Sequence, residues 1–77
     1  MVHLQVGSEP IAITLNGDAR EFPAGSTVAA LLASLELEPR LVVVERNREI
    51  LRDRDAFSAL TLEAGDTIEI VHFVGGG

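Results

Sequence analysis

The chain ends in three consecutive glycines, Gly75, Gly76 and Gly77, directly after a stretch that predicts a β-strand, Thr67–Val74. Three extended residues reach roughly 10 Å, and glycines have no side chain that shields the terminal carboxylate. A carboxylate presented in this way can enter a narrow enzyme channel and be activated there. The alternative is that the glycines are a frayed chain end, because disorder is common at chain termini. The tail alone therefore leaves a chemical role and an idle end equally open.

The rest of the chain has few groups that could perform chemistry. It has no cysteine, so neither disulfides nor thiolate metal sites can form. His3 and His72 lie far apart without the spacing of metal ligands, and His72 has no carboxylate or nucleophile beside it, which favours a structural role. The glycines follow a strand but open no helix, so they do not form a dinucleotide-binding loop. We expect the chain itself to bind no metal or cofactor, and its residues form no catalytic constellation.

The net charge of the chain indicates which class of partner it could bind. The net charge is −6, there is no lysine, and the six arginines are scattered. Nucleic-acid binding needs clustered cations, whereas an acidic domain is suited to a basic protein surface. The first residues lack a positively charged segment followed by a long apolar stretch, so we expect no secretory signal. The longest apolar run, Val28–Ala33, is far too short for a membrane span. We therefore expect a cytoplasmic protein without a membrane or nucleic-acid partner.

The first half of the chain predicts a hairpin followed by a helix. Alternating apolar residues over Ile11–Leu15 indicate a strand, and Asn16-Gly17 is the strongest short signal for a type I′ turn, with a return strand over Asp18–Phe22. Good N-cap residues then precede an apolar stripe at helical spacing, formed by Val28, Leu31, Leu32 and Leu35. The helix should end before Pro39, because the residue before proline avoids the α region.

The second half predicts mostly strands. Leu41–Val44 is apolar at every position, which is typical of a strand buried in the middle of a sheet. A polar turn over 45–49 should lead to a brief return strand at 50–51. We expect a short helical turn around 56–60, a turn at 64–66 and the final strand at 67–74.

This order predicts an α+β fold of the β-grasp type, a mixed four- to five-stranded sheet with one main helix packed on one face. At 77 residues there is room for a single core. We expect a leader over residues 1–10, the domain over 11–74 and a flexible glycine tail over 75–77.

The last strand has two different faces. Ile68 and Ile70 should face the core, and the alternation of a strand then directs Glu69, Val71 and Phe73 to the outside. An exposed valine and phenylalanine at the foot of the tail would form an apolar patch of the kind that marks a docking surface. A bulge near the end of the strand, with Phe73 tucked back into the sheet, is the alternative.

Several segments resemble the sulfur carrier protein family of thiamine biosynthesis, usually called ThiS. The resemblance extends from about residue 11 to residue 77 and is strongest in two segments, Val44-Glu45-Arg46-Asn47 with Glu49-Ile50, and Ile68-Glu69-Ile70-Val71-His72-Phe73-Val74-Gly75-Gly76-Gly77. Leu15-Asn16-Gly17 and Pro23–Val28 are similar to the opening hairpin and helix of the family. Residues 1–10 depart from it, since members commonly begin at the first strand.

The resemblance implies a ubiquitin-like β-grasp protein that is a carrier and not an enzyme. In the family an ATP-using adenylyltransferase related to ubiquitin-activating enzymes adenylates the C-terminal glycine. A sulfur donor such as a cysteine desulfurase then supplies the sulfur of a thiocarboxylate, which is delivered to thiazole synthase. Carried over to this chain, Gly77 holds the sulfur, and the partner-binding residues are Val71, Phe73, Val74, Gly75 and Gly76.

Two other interpretations stay open. One is a related sulfur carrier, such as the small subunit of molybdopterin synthase or a carrier for tRNA thiolation or cysteine synthesis. The other is a β-grasp interaction module that binds non-covalently and has an idle tail.

Overall fold

The computed structural model describes residues 9–73. It confirms the predicted α+β arrangement, a mixed five-stranded sheet in the order β2-β1-β5-β3-β4, in which β1 and β5 are parallel and the other neighbours antiparallel. The elements in chain order are β1 (Ile11–Leu15), β2 (Asp18–Phe22), α1 (Val28–Ser34), a first 3₁₀ helix (Pro39–Leu41), β3 (Val42–Arg46), β4 (Glu49–Ile50), a second 3₁₀ helix (Arg54–Ala59) and β5 (Thr67–His72).

Two tight hairpin turns shape the sheet. The first is the predicted one, with Asn16 at φ 49° and Gly17 at φ 87°, the left-handed values that a type I′ turn requires. The second turn consists of Asn47 and Arg48, at φ 52° and 75°. The prediction of a polar turn over 45–49 was wrong in length. Residues 45 and 46 continue β3 because they pair with β5 on one side and with β4 on the other.

Helix α1 covers one face of the sheet. Thr27 caps its N-terminus, where the Thr27 hydroxyl accepts a hydrogen bond from the Ala30 backbone N–H at 3.0 Å. The helix buries Val28, Leu31 and Leu32. These side chains pack against the inward residues of the strands and against the second 3₁₀ helix in one core, formed by Ile13, Leu15, Val28, Leu31, Leu32, Val42, Val44, Phe57, Leu62 and Ile68.

The C-terminal end of α1 is a Schellman motif without the usual glycine. The Glu36 N–H donates to the Ala33 carbonyl at 3.0 Å, and the Leu37 N–H donates to the Leu32 carbonyl at 2.9 Å, which are the two bonds of that motif. Glu36 occupies the position that needs a left-handed backbone, at φ 60°. A side chain in this conformation carries a steric cost that glycine would not have.

Three sequence predictions need correction. The strand predicted over 41–44 is not buried throughout. Val42 and Val44 are fully buried, but Leu41 lies in the first 3₁₀ helix and is 47% exposed, because α1 covers only one face of the sheet. The predicted helical turn around 56–60 is the 3₁₀ helix Arg54–Ala59, since Asp53 caps it with a side-chain hydrogen bond to the Asp55 N–H. The last strand ends at His72, and residue 74 lies outside the described residues.

A buried carboxylate links β5 to the β3–β4 hairpin. Asp66 accepts hydrogen bonds from Arg46 Nε (3.0 Å), Asn47 Nδ2 (3.1 Å) and the Glu63 backbone N–H (2.9 Å), and it forms a salt bridge with the Arg46 guanidinium at 2.9 Å. Burial raises the pKa of Asp66. The bonds from Glu63 and Asn47 and the charge of Arg46 outweigh burial and hold the pKa below its ordinary value of 3.8.

Within residues 9–73, no helix has the length and apolar character needed to cross a membrane.

We predict that Asp66→Asn weakens the acid dependence of folding stability. The unfolded carboxyl takes up a proton near pH 3.8, whereas the folded one does so only at lower pH. The stabilisation from ionised Asp66 is therefore complete above the unfolded pKa and is lost as the pH falls through the folded pKa. Urea unfolding from about pH 5 to about pH 2 should show a shallower loss in Asp66→Asn than in the wild type. Asp55→Asn, which removes an exposed carboxylate, is the control. An equally steep loss in Asp66→Asn and the wild type would contradict the prediction.

We also predict that Glu36→Gly stabilises the protein. Glycine removes the cost of the left-handed backbone, although it also gives the unfolded chain more freedom. The balance should raise the free energy of unfolding by about 0.5–1 kcal/mol, measured by urea denaturation. Glu38→Gly serves as the matched control, since Glu38 has φ −79° and no such cost to relieve. It should be neutral or destabilising, and a gain in both variants would show that φ at residue 36 is not the cause.

Candidate functional site

The central strand of the sheet leads directly to the glycine tail. Strand β5 pairs with β1 at Thr67 and Ile68 on one side, and with β3 as far as His72 on the other. Residues 74–77, which include the predicted sulfur-bearing Gly77 and the predicted partner contacts Val74, Gly75 and Gly76, lie outside the described residues. The structure therefore defines the base from which the tail departs.

The two faces of β5 are as the alternation predicts. Ile68 is 1% exposed and belongs to the core, and Ile70 packs against the core. Val71 and Phe73 are 61% and 50% exposed. The alternative in which Phe73 folds back into the sheet is wrong, because the Phe73 N–H continues the pairing toward the β3 side through a hydrogen bond to the Leu41 carbonyl at 2.8 Å.

The register between β3 and β5 adds two residues to this surface. Val43 lies directly opposite Val71, and Leu41 lies beside Phe73 and is itself 47% exposed. These four residues, Leu41, Val43, Val71 and Phe73, form what we call the apolar patch. Leu41 and Val43 were not predicted as part of this face, because their assignment requires the register of two strands that lie far apart in the chain.

An acidic pair borders the apolar patch. Glu45 lies directly opposite Glu69 on the next outward rung of the β3–β5 ladder. Like charges in directly opposite positions destabilise a sheet, so this pair does not serve folding. The face of the sheet that α1 does not cover is thus apolar near the tail and acidic farther from it. A protein surface that carries an apolar contact and neighbouring basic groups would complement both parts.

His72 lies on the other face of the sheet. It is opposite Val42 in the β3–β5 ladder and is exposed at the rim of a shallow cleft of about 350 Å³, whose lining includes Asn16, Asp18 and Arg20. Within residues 9–73, no three histidine, aspartate or glutamate side chains come together in a way that could hold a metal ion.

Asp66 is the one charged side chain buried among the described residues. It is satisfied by Arg46, Asn47 and the Glu63 backbone N–H, and these bonds join secondary-structure elements. A perturbed carboxyl can mark an active site, but this one serves the fold. What the described residues offer is a hydrogen-bonded strand, an apolar patch and an acidic pair at the base of the tail.

Comparisons with known proteins agree with this geometry. A sequence model of the ThiS family matches residues 13–77. The sulfur carrier protein ThiS of Bacillus subtilis is 46% identical over 66 residues, which cover 84% of this chain and 98% of that protein. A crystal structure of the thiamine biosynthesis protein ThiS from Geobacter metallireducens is 35% identical, with a TM-score of 0.68, and the match covers 87% of this chain and 100% of that one.

Some similar proteins are much longer. A thiazole synthase of Magnetococcus marinus is 43% identical over 65 residues, which cover 84% of this chain and 20% of that protein. A thiazole synthase of Paramagnetospirillum magneticum has the same identity and coverage. The chain thus spans about a fifth of the length of these two relatives.

The β-grasp sheet, the match through the glycine tail and the relatives that this chain covers nearly end to end agree with one another. The chain belongs to the ThiS family of sulfur carrier proteins.

Proposed function

We propose that this protein carries sulfur for thiazole formation in thiamine biosynthesis, as a thiocarboxylate on Gly77. The observation that carries the proposal is the family match, which covers residues 13–77, from within the first strand to the last glycine. The match therefore includes the glycines and not only the folded domain. The ThiS protein of Bacillus subtilis, which is named a sulfur carrier, supports the same conclusion.

The chemistry explains why such a carrier needs a partner. A terminal carboxylate has a pKa of about 3.5 and is ionised at neutral pH, so it resists nucleophiles. A carboxylate oxygen first attacks the α-phosphorus of ATP on the adenylyltransferase, and pyrophosphate leaves. The terminal sulfur of a donor persulfide then attacks the acyl carbon, and AMP leaves. A thiol finally reduces the resulting S–S bond and releases the thiocarboxylate.

The protein itself contributes presentation and docking. Glycines allow close approach of the partner backbone and nucleotide, since they have no Cβ. The apolar patch lies at the foot of the tail, so that contact there places the terminus near the reacting groups. The acidic pair, Glu45 and Glu69, favours an enzyme surface with basic residues beside an apolar contact. These roles require no acid, base or nucleophile from the carrier.

Thiazole synthase is the proposed acceptor of the sulfur. Two proteins with that name each contain a segment that is 43% identical to this chain, which associates the carrier with that enzyme. A cysteine desulfurase is the proposed source of the persulfide. The similarities to ThiS proteins favour thiamine biosynthesis over the related molybdopterin and tRNA-thiolation carriers. A non-covalent interaction module is the remaining alternative.

The proposal predicts a change in mass at the C-terminus. Incubation with ATP, the adenylyltransferase, a persulfide donor and a thiol should raise the intact mass by the replacement of one oxygen by sulfur. Deletion of Gly77 should abolish the change, and so should a tag that blocks the C-terminus. An N-terminal tag is the matched control and should be tolerated. A protein that stays unmodified with a competent partner, or that is fully active with a blocked C-terminus, would overturn the proposal.

A second prediction concerns the apolar patch. Phe73→Ala should weaken binding to the adenylyltransferase by about 2 kcal/mol or more, the size expected of an aromatic anchor at an interface, while the free energy of unfolding changes little because the side chain is half exposed. Ile50→Ala is the control, since Ile50 is 43% exposed on the same face but lies on edge strand β4 beyond Glu45. Isothermal titration calorimetry should show weaker binding to the adenylyltransferase for Phe73→Ala and unchanged binding for Ile50→Ala. An equal loss of affinity in both variants would argue against the patch as the docking site.

A further inference from the structure

Strand β5 continues beyond the end of its neighbour β1. The last paired residues of the two strands are Leu15 and Ile68, and the chain then leaves the sheet through the turn at Asn16 and Gly17. On this side, the backbone groups of Ile70 have no strand residue opposite them. They lie between the last pair of the β1–β5 ladder and the residues from which the tail departs.

Asn16 takes the place of a further β1 residue beside Ile70. The Asn16 backbone N–H donates to the Ile68 carbonyl at 2.9 Å, as the backbone of a continuing strand would. Its side-chain Oδ1 accepts from the Ile70 N–H at 2.7 Å, and Nδ2 donates to the Ile70 carbonyl at 3.3 Å. A carboxamide has the same donor and acceptor as a peptide group, so it extends the parallel ladder by one step.

The local backbone makes this contact possible. Asn16 has φ 49°, a left-handed conformation that asparagine tolerates better than most residues. Aspartate has no N–H to donate to the Ile70 carbonyl, and glycine would keep the turn but lose the side chain. The asparagine of the turn thus has a second role besides forming the hairpin.

We propose that Asn16 is a positioning residue that sets the direction in which the tail leaves the sheet. Ile70 is held by Asn16 on the β1 side, and Phe73 is held by the Leu41 carbonyl on the β3 side. With both contacts, the end of β5 is fixed along both edges. Without Asn16 it is held on the β3 side alone and can swing, which misplaces the terminus relative to the partner. This inference rests on the proposed function, because it concerns delivery of Gly77 to the adenylyltransferase.

The chain contains a matched residue at the other end of β5. Asn47 has φ 52° and also lies in a two-residue turn. Its backbone N–H donates to the Thr67 carbonyl at 2.7 Å, and its Oδ1 accepts from the Thr67 N–H at 2.9 Å. The two asparagines have similar backbones, and both bond β5 through the backbone N–H and Oδ1. They differ at Nδ2, which in Asn47 donates to Asp66 Oδ1 and in Asn16 donates to the Ile70 carbonyl. Asn47 thus holds the start of the strand, and Asn16 holds the part next to the tail.

The experiment compares Asn16→Gly with Asn47→Gly, because glycine suits both backbones. Asn16→Gly should increase amide hydrogen exchange at Ile70 and lower kcat for adenylation by about tenfold or more, with KM nearly unchanged because the apolar patch is intact. Asn47→Gly should increase exchange at Thr67 and leave kcat at the wild-type value, under conditions in which circular dichroism shows both variants folded. Asn16→Asp keeps the acceptor for the Ile70 N–H, so its kcat should be intermediate.

The outcomes separate this inference from the proposed function. A wild-type kcat in Asn16→Gly, or equal losses of kcat in the two glycine variants, would overturn the positioning role while adenylation of the wild type still supports the carrier. Unchanged exchange at Ile70 in Asn16→Gly would show that the Asn16 side chain does not hold Ile70 and would overturn the inference at its first step. A wild-type protein that is not adenylated by a competent enzyme would overturn the proposed function and, with it, this inference.

Discussion

The structure depends on the buried carboxylate of Asp66. It lies at the start of the central strand and binds Arg46 and Asn47 from the β3–β4 hairpin, while the Glu63 N–H closes its own turn onto it. A buried charge is costly unless it is paired and hydrogen-bonded, and here each of its oxygens has a donor. One side chain therefore fixes the hairpin, the turn before β5 and the position of β5 itself.

This arrangement places the core and the exposed apolar side chains on opposite faces of the sheet. The face under α1 contains the core, whereas the opposite face keeps Leu41, Val71 and Phe73 exposed. A domain of 77 residues has little apolar surface to spare, so leaving these side chains uncovered has a cost in folding. Burial of these side chains against a bound partner would offset that cost in the complex. The acidic pair fits the same division, because like charges face each other where they do not help the fold.

The local elements follow from the residues themselves. Asn16-Gly17 predicts the first hairpin because both residues tolerate the left-handed backbone, and Thr27 with the apolar stripe predicts α1. The alternation along β5 predicts that Val71 and Phe73 are exposed, and the structure confirms it. The bounds of elements were predicted less well where the local sequence signals are weak or ambiguous. The bounds of the second turn and of the 3₁₀ helix Arg54–Ala59 differ from the prediction by one or two residues.

The sequence by itself determined the family, since residues 13–77, which include the three glycines, match the ThiS family model. Tertiary structure decided which residues surround the base of the tail. The register of β3 with β5 adds Leu41 and Val43 to the patch, and the end of β1 brings Asn16 to Ile70, 54 residues away in the chain. Such contacts depend on where strands end and how they pair, and no local pattern contains that information.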